Sequence, residues 1–188
     1  MKYPYPLFLK RKRGYTRSMQ QPEELFAGFG WKVQLEQASL PDGRLSKAVR
    51  IHRCDSVDIL ALTANRSVLL LREYRPFYGT SIWKLPGGKM DKESDSADAA
   101  QRELQEETGF GAQKLEHWFS ANISESIAIT NHFFLAEDLY PQSLPQDLDE
   151  SIEVHKLPLS EAIDNVLSSD RVHLQSAVAL LRFAREHP

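Results

Sequence analysis

Glu103, Glu106 and Glu107 stand at positions i, i+3 and i+4 of a stretch whose other periodic positions, Ala99, Ala100 and Leu104, are apolar. Helical geometry gathers the three carboxylates on one face, while the apolar positions can pack on a sheet. Its ends are marked. Ser94-Asp95-Ser96 offers several N-caps, and Gly109, followed by apolar Phe110, is a natural C′ residue, which delimits a helix of about twelve residues. Like charges at this spacing cost a helix about 0.2 to 0.5 kcal/mol per pair in water, and nothing in the local sequence neutralises all three. A hard divalent cation would reverse that sign, because Mg²⁺ takes oxygen ligands and commonly shares them with substrate phosphates. An acidic run alone is more often a solvated face. The Pro86-Gly87-Gly88 turn ahead of this one shifts the balance, since two glycines let the backbone bend sharply and return carbonyls toward a bound ion.

The rest of the chain supplies the sheet. Trp31, Val33 and Leu35 alternate with Lys32, Gln34 and Glu36, and Val49 and Ile51 alternate with Arg50 and His52 around a Pro41-Asp42-Gly43 turn, which predicts an N-terminal hairpin. Val57 to Leu62 and Val68 to Leu71 are apolar runs joined by a polar stretch suited to a second hairpin, and Ile82 to Leu85 is a short strand running into the glycine turn. Further strands are expected at Leu115–Ser120, Ala128–Ala136 and Ile152–Leu157, and two helices at Ser160–Leu167 and Val172–Glu186. Strands and helices interspersed in this way predict α/β layers.

The 188 residues suit one main domain, and 41% apolar with 26% charged residues is ordinary globular composition. No apolar run approaches the roughly 20 residues of a membrane span. The single cysteine, Cys54, excludes an internal disulfide and a multi-cysteine zinc site and fits a reducing, cytoplasmic compartment. Residues 1 to 20 carry six basic groups and no acid, which leaves 17 basic against 26 acidic residues elsewhere. Such an arm is usually a solvated tail, with nucleic acid a minor alternative, and Pro4 and Pro6 spoil an amphipathic transit helix.

Arg102-Glu103-Leu104-Gln105-Glu106-Glu107-Thr108-Gly109-Phe110, with Gly88 in register as the first glycine, resembles the Nudix box. Arg72-Glu73-Tyr74-Arg75-Pro76 and Trp83-Lys84-Leu85-Pro86-Gly87-Gly88 are similar to the lead-in of the ADP-ribose pyrophosphatase-like branch of that family. The resemblance implies an α/β/α sandwich around a mixed β-sheet over residues 56–188. It implies Glu103, Glu106, Glu107 and the Gly87 carbonyl as ligands of Mg²⁺, or alternatively Mn²⁺, with Glu106 and Arg102 serving catalysis and Arg75 contacting substrate phosphate. In two places the chain departs from the family pattern. The glutamate six residues after the first glycine is replaced by Ser94, with Glu93 displaced by one, which bears on how Arg102 is oriented. Lys84 stands where many members carry glutamate, as a phosphate contact or an exposed strand residue.

Diphosphate hydrolysis needs aimed water, charge neutralised on the phosphoryl oxygens and often a carboxylate to take the proton. This branch tends to place that carboxylate far downstream, and the matching stretch is Asp147 to Val154; Glu150 is the candidate base, with Asp147 and Asp149 as substitutes. Residues 21–55 resemble the extra sheet through which nucleoside diphosphate sugar pyrophosphatases dimerise, and Trp31, with Phe26 and Phe29, is a candidate base-stacking residue there. Gln142 to Gln146 reads as a mobile lid. The expected function is metal-dependent hydrolysis of a nucleoside diphosphate sugar by a homodimer. Two alternatives are a catalytically weakened nucleotide-sugar binding module and an RNA-directed pyrophosphohydrolase using the basic arm.

Overall fold

The computed structural model describes residues 21–147 and 150–188, so the basic arm and Asp149 lie outside the described residues. The expected N-terminal hairpin is present as β2 (Trp31–Ser39) and β3 (Leu45–His52), with Leu35 opposite Val49 and Val33 opposite Ile51. A third strand, β1 (Glu23–Gly28), pairs antiparallel with β2. Its sequence shows no clean alternation, and a register shift between Glu24 and Phe26 explains why: a bulge breaks the period of two.

Past β3 the chain builds the body. β4 (Ser56–Ala61) runs parallel to β9 (Thr130–Pro141), which pairs antiparallel with β7 (Phe110–Asn122), giving a mixed sheet. A second sheet has β5 (Val68–Arg75) between β10 (Ile152–Leu157) and β6 (Thr80–Lys84). The short β8 (Ile127–Ala128) pairs parallel with β3 and ties the N-terminal sheet to the body.

Helix α1 (Ser96–Thr108) covers one side and helices α2 (Leu159–Leu167) and α3 (Leu174–Glu186) the other. Val57, Ile59 and Ala61 pack with Ala99, Ala100 and Leu104, whereas Leu60 and Leu62 pack with Val166, Leu180 and Phe183. Strand alternation thus feeds both layers, and the expected α/β/α sandwich is the observed one. Among the described residues no helix is long and apolar enough to cross a membrane.

The expected second hairpin is not formed. β4 and β5 share only the Leu62–Val68 bridge and then part into different sheets. Strands that are apolar on both faces announce burial but carry no polar side to fix which neighbour they pair with.

The caps of α1 are as expected. The Asp95 carboxylate accepts from the Ala97 N–H at 2.7 Å, and Gly109 closes the helix at φ 76° with its N–H on the Gln105 carbonyl. The segment read as a mobile lid is docked on this same end, its Gln142 and Leu144 N–H groups donating to the carbonyls of Gly109 and Gln105. On the other flank the glycine turn lies along β4, where Val57 N–H donates to Gly88 at 2.9 Å and Ile59 N–H to Pro86 at 2.8 Å.

That approach requires glycine at position 87. Its φ is 151°, and a Cβ there would fall well inside van der Waals contact with the Val57 carbonyl oxygen. Gly87→Ala is expected to lose about 1 to 3 kcal/mol or more in denaturant unfolding, because the clash is with backbone that cannot step aside.

Candidate active site

β5 and the C-terminal end of β6 meet the last turn of α1 at a buried group of charges. Lys84, Glu73 and Glu107 are all at most 5% exposed, as is Asp58 of β4. The Lys84 ammonium donates to the Gly87 carbonyl at 2.8 Å and to Glu107 Oε1 at 2.9 Å, and faces Glu73 Oε2 at 3.3 Å. The other oxygen of Glu107 accepts the Gly87 N–H at 2.6 Å. One carboxylate and one ammonium therefore grip the same residue, through its N–H and its carbonyl. Burial works to lower the Lys84 pKa, but Glu107 and Glu73 hold it above the ordinary lysine range, so it is charged. Lys84 is not an exposed strand residue. Two residues on from buried Ile82, it lies on the same inward face of β6, and the glycine turn folds back over it.

The acidic face itself is partly paired within the chain. Arg102 Nη1 donates to Glu106, and its Nη2 lies 3.0 Å from Glu103 Oε1. Glu93 takes the guanidinium from the other side, with Nε to Oε1 at 2.6 Å and Nη2 to Oε2 at 3.2 Å. Lys89 adds its carbonyl at 3.1 Å. Glu93 thus orients Arg102 even though Ser94 stands in the family's glutamate position. The loop before the helix has enough slack for a carboxylate one residue early to reach the same place.

A model of the NUDIX domain matches residues 52–177. The Nudix family is where this chain belongs. It is 30% identical over 164 residues to an ADP-ribose pyrophosphatase of Bacillus subtilis, covering 84% of this chain and 87% of the relative. It is 30% identical over 147 residues to the methanol dehydrogenase activator of Bacillus methanolicus, covering 77% and 80%. A crystal structure of an ADP compounds hydrolase superimposes with TM-score 0.68 at 24% identity, over 91% of this chain and 97% of that one. That superposition supports the Nudix fold.

The donor chemistry of this Nudix box fits a hard divalent cation. Every candidate donor is oxygen: the carboxylates of Glu103, Glu106 and Glu107 and the carbonyl of Gly87. A Cβ at position 88 would run into all three carboxyl atoms of Glu103, so the space that glycine leaves is a cradle for that carboxylate. Among the described residues no three acidic or histidine side chains already converge as a cage, because Arg102 stands between Glu103 and Glu106 while Lys84 holds Glu107. Burial first, then Glu107, pushes the Glu103 carboxyl up to about 7.

Other expected residues fall around this centre. Arg75, at the end of β5, pairs with Glu73 at 2.9 Å and keeps an exposed side. β10 brings Glu150 close, since Ile152 is opposite Glu73 and the Ser151 carbonyl accepts from Tyr74. Burial, then Glu107 and Glu73, raise the Glu150 pKa to about 7. Trp31 is not brought to the helix within one chain; it lines an open cavity of about 410 Å³ in the N-terminal sheet, with Arg53 stacked over its ring at 4.9 Å. Sequence reading missed Glu73, Asp58 and His173. Glu73 and Asp58 look like ordinary alternating strand polars, and His173 precedes α3, where nothing in the pattern marks it. His173 is driven down to about 3 by burial, then by Lys84 and Arg75, so it is a neutral imidazole; its Nδ1 lies 2.7 Å from Ser176 Oγ, which accepts from Leu85 N–H.

Asp58 gives a pH signature. Burial, opposed by the Asn131 amide at 2.7 Å, raises its pKa from 3.8 to about 7. The folded state then holds a proton the unfolded state has lost, so between pH about 4 and 7 this group's contribution falls as pH rises and stays low above 7. Asp58→Asn is therefore expected to raise the melting temperature at pH 8 relative to the native chain and leave it almost unchanged at pH 4. Glu93→Ala releases one side of Arg102 and is expected to weaken Mn²⁺ binding, read by titration calorimetry, with little change in melting temperature.

Proposed function

We propose that this chain hydrolyses the diphosphate bond of a nucleoside diphosphate sugar of the ADP-ribose type, yielding a nucleoside monophosphate and a sugar phosphate. The observation that carries this reading is the glycine turn pinned against a three-glutamate helix face, with Arg75 and Glu150 at its rim. The matching relative whose name states that activity acts on ADP-ribose. Glu103 and Glu106 would hold Mg²⁺, or Mn²⁺ in its place, with Glu107 and the Gly87 carbonyl, the further oxygens of the donor set, beside them. The ion supplies charge neutralisation at the phosphoryl oxygens and a lowered pKa for attacking water.

The chain's own residues do the rest. Arg75 offers a planar fork for a phosphate, its pairing with Glu73 holding it at the rim. Glu150 takes the proton of the attacking water; a carboxyl near pH 7 is matched to that task. Arg102, fixed by Glu93, keeps Glu103 and Glu106 from repelling each other. Trp31, with Phe26 and Phe29, stacks on the base of a substrate bound across a dimer, and exposed Phe29, Leu25 and Val49 favour residues 21–55 as the dimer surface. Residues 56–188 are the catalytic domain, and one cysteine suits the cytoplasm.

Incubation with ADP-ribose, ADP-glucose, GDP-mannose and UDP-glucose in Mg²⁺, with phosphomonoester release counted, is expected to show turnover of at least one; turnover of none sinks the reading. Native kcat/KM should rise with pH through about 7 as Glu150 ionises. Glu150→Gln should lower kcat about 10²- to 10⁴-fold and remove that acid limb.

A further inference from the structure

We infer that the Lys84 ammonium is a resident cation of the active site, filling the place between the Gly87 carbonyl and Glu107 that a divalent ion would otherwise take. The inference rests on the metal-dependent reading above and deepens it. The Lys84 ammonium donates to Gly87 O at 2.8 Å and to Glu107 Oε1 at 2.9 Å, and forms an ion pair with Glu73 Oε2 at 3.3 Å. Buried among these oxygens at the end of β6, Lys84 is a positioning residue rather than a phosphate contact. Two of those oxygens belong to the donor set assigned to the metal. An ion bound to both would bring a divalent charge against the buried ammonium, with little water to screen the repulsion.

Lys84 has no route of retreat. Its side chain is 5% exposed, and Glu73, Glu107 and Asp58 crowd around it, all buried, so leaving would take from this group a charge that only Arg75, at Glu73, partly replaces. The Glu103 and Glu106 end differs: it is held by Arg102, which Glu93 and the Lys89 carbonyl can retain alone when an ion arrives. The site is therefore divided, with exchangeable divalent charge at Glu103 and Glu106 and permanent monovalent charge at Gly87 and Glu107. A consequence is that the glycine turn keeps its shape without added metal, because the ammonium closes it.

The test counts ions. Mn²⁺ bound per chain, by electron paramagnetic resonance and by calorimetry, is expected to be one higher in Lys84→Met than in the native protein. Saturating Mn²⁺ should raise the melting temperature of Lys84→Met by a clearly larger margin than that of the native chain. Equal counts and equal thermal shifts overturn the inference. Should Lys84→Met not fold, the native chain still decides: its ¹⁵Nζ–H resonance for Lys84, identified by its loss in Lys84→Arg, should persist at saturating Mg²⁺, and its disappearance on adding Mg²⁺ overturns the assignment. Native protein that binds Mn²⁺ and turns over a sugar nucleotide while failing these tests loses only the Lys84 assignment. Native protein and variants that bind no Mn²⁺ and turn over nothing lose the enzymatic reading and this inference together.

Discussion

Glu107 spends both of its oxygens on one turn of backbone, accepting from the Gly87 N–H with one and from Lys84 with the other, and Lys84 closes the ring on the Gly87 carbonyl. The geometry of the site follows from this ring. It joins the last turn of α1 to the end of β6, so the helix that carries the other glutamates cannot slide relative to the turn. The cost is burial of charge, which several carboxylates and one lysine share. Such a group is retained where geometry matters more than stability, since well-packed apolar residues of the same volume would often be neutral or better.

Around this ring the acidic face is arranged by a second cation. Arg102 lies between Glu103 and Glu106 and is gripped by Glu93, so part of the repulsion expected along the helix is offset inside the chain. Two cations of different kinds thus serve one ridge. The guanidinium is broad, partly open to solvent and shared among several acceptors, whereas the ammonium is compact, enclosed and fully committed. That contrast makes one end of the ridge receptive to a divalent ion and the other already filled.

Much of this was legible from local pattern. The spacing of Glu103, Glu106 and Glu107, the Asp95 cap and the closing Gly109 depend on neighbours within a helical turn, and the structure has them where the pattern puts them. Strand positions from Val57 to Leu157 were readable for the same reason. What escaped reading involved partners far apart in the chain. β4 and β5 are adjacent in sequence yet belong to different sheets, and β1 is hidden by its bulge. Glu73 reaches Lys84 only because β5 and β6 pair with Glu73 opposite Ile82, which makes Lys84, two residues on, its diagonal neighbour on the same face.

The amino-acid sequence alone determined the acidic helix, its glycine lead-in and the α/β layering, because hydrophobic period, caps and turns act over a few residues and need no distant partner. Only the tertiary structure decided the charge state of the site. Whether a carboxylate is bare, paired or enclosed depends on what the sheet places beside it and on how much water is excluded, and both are set by packing across the whole domain.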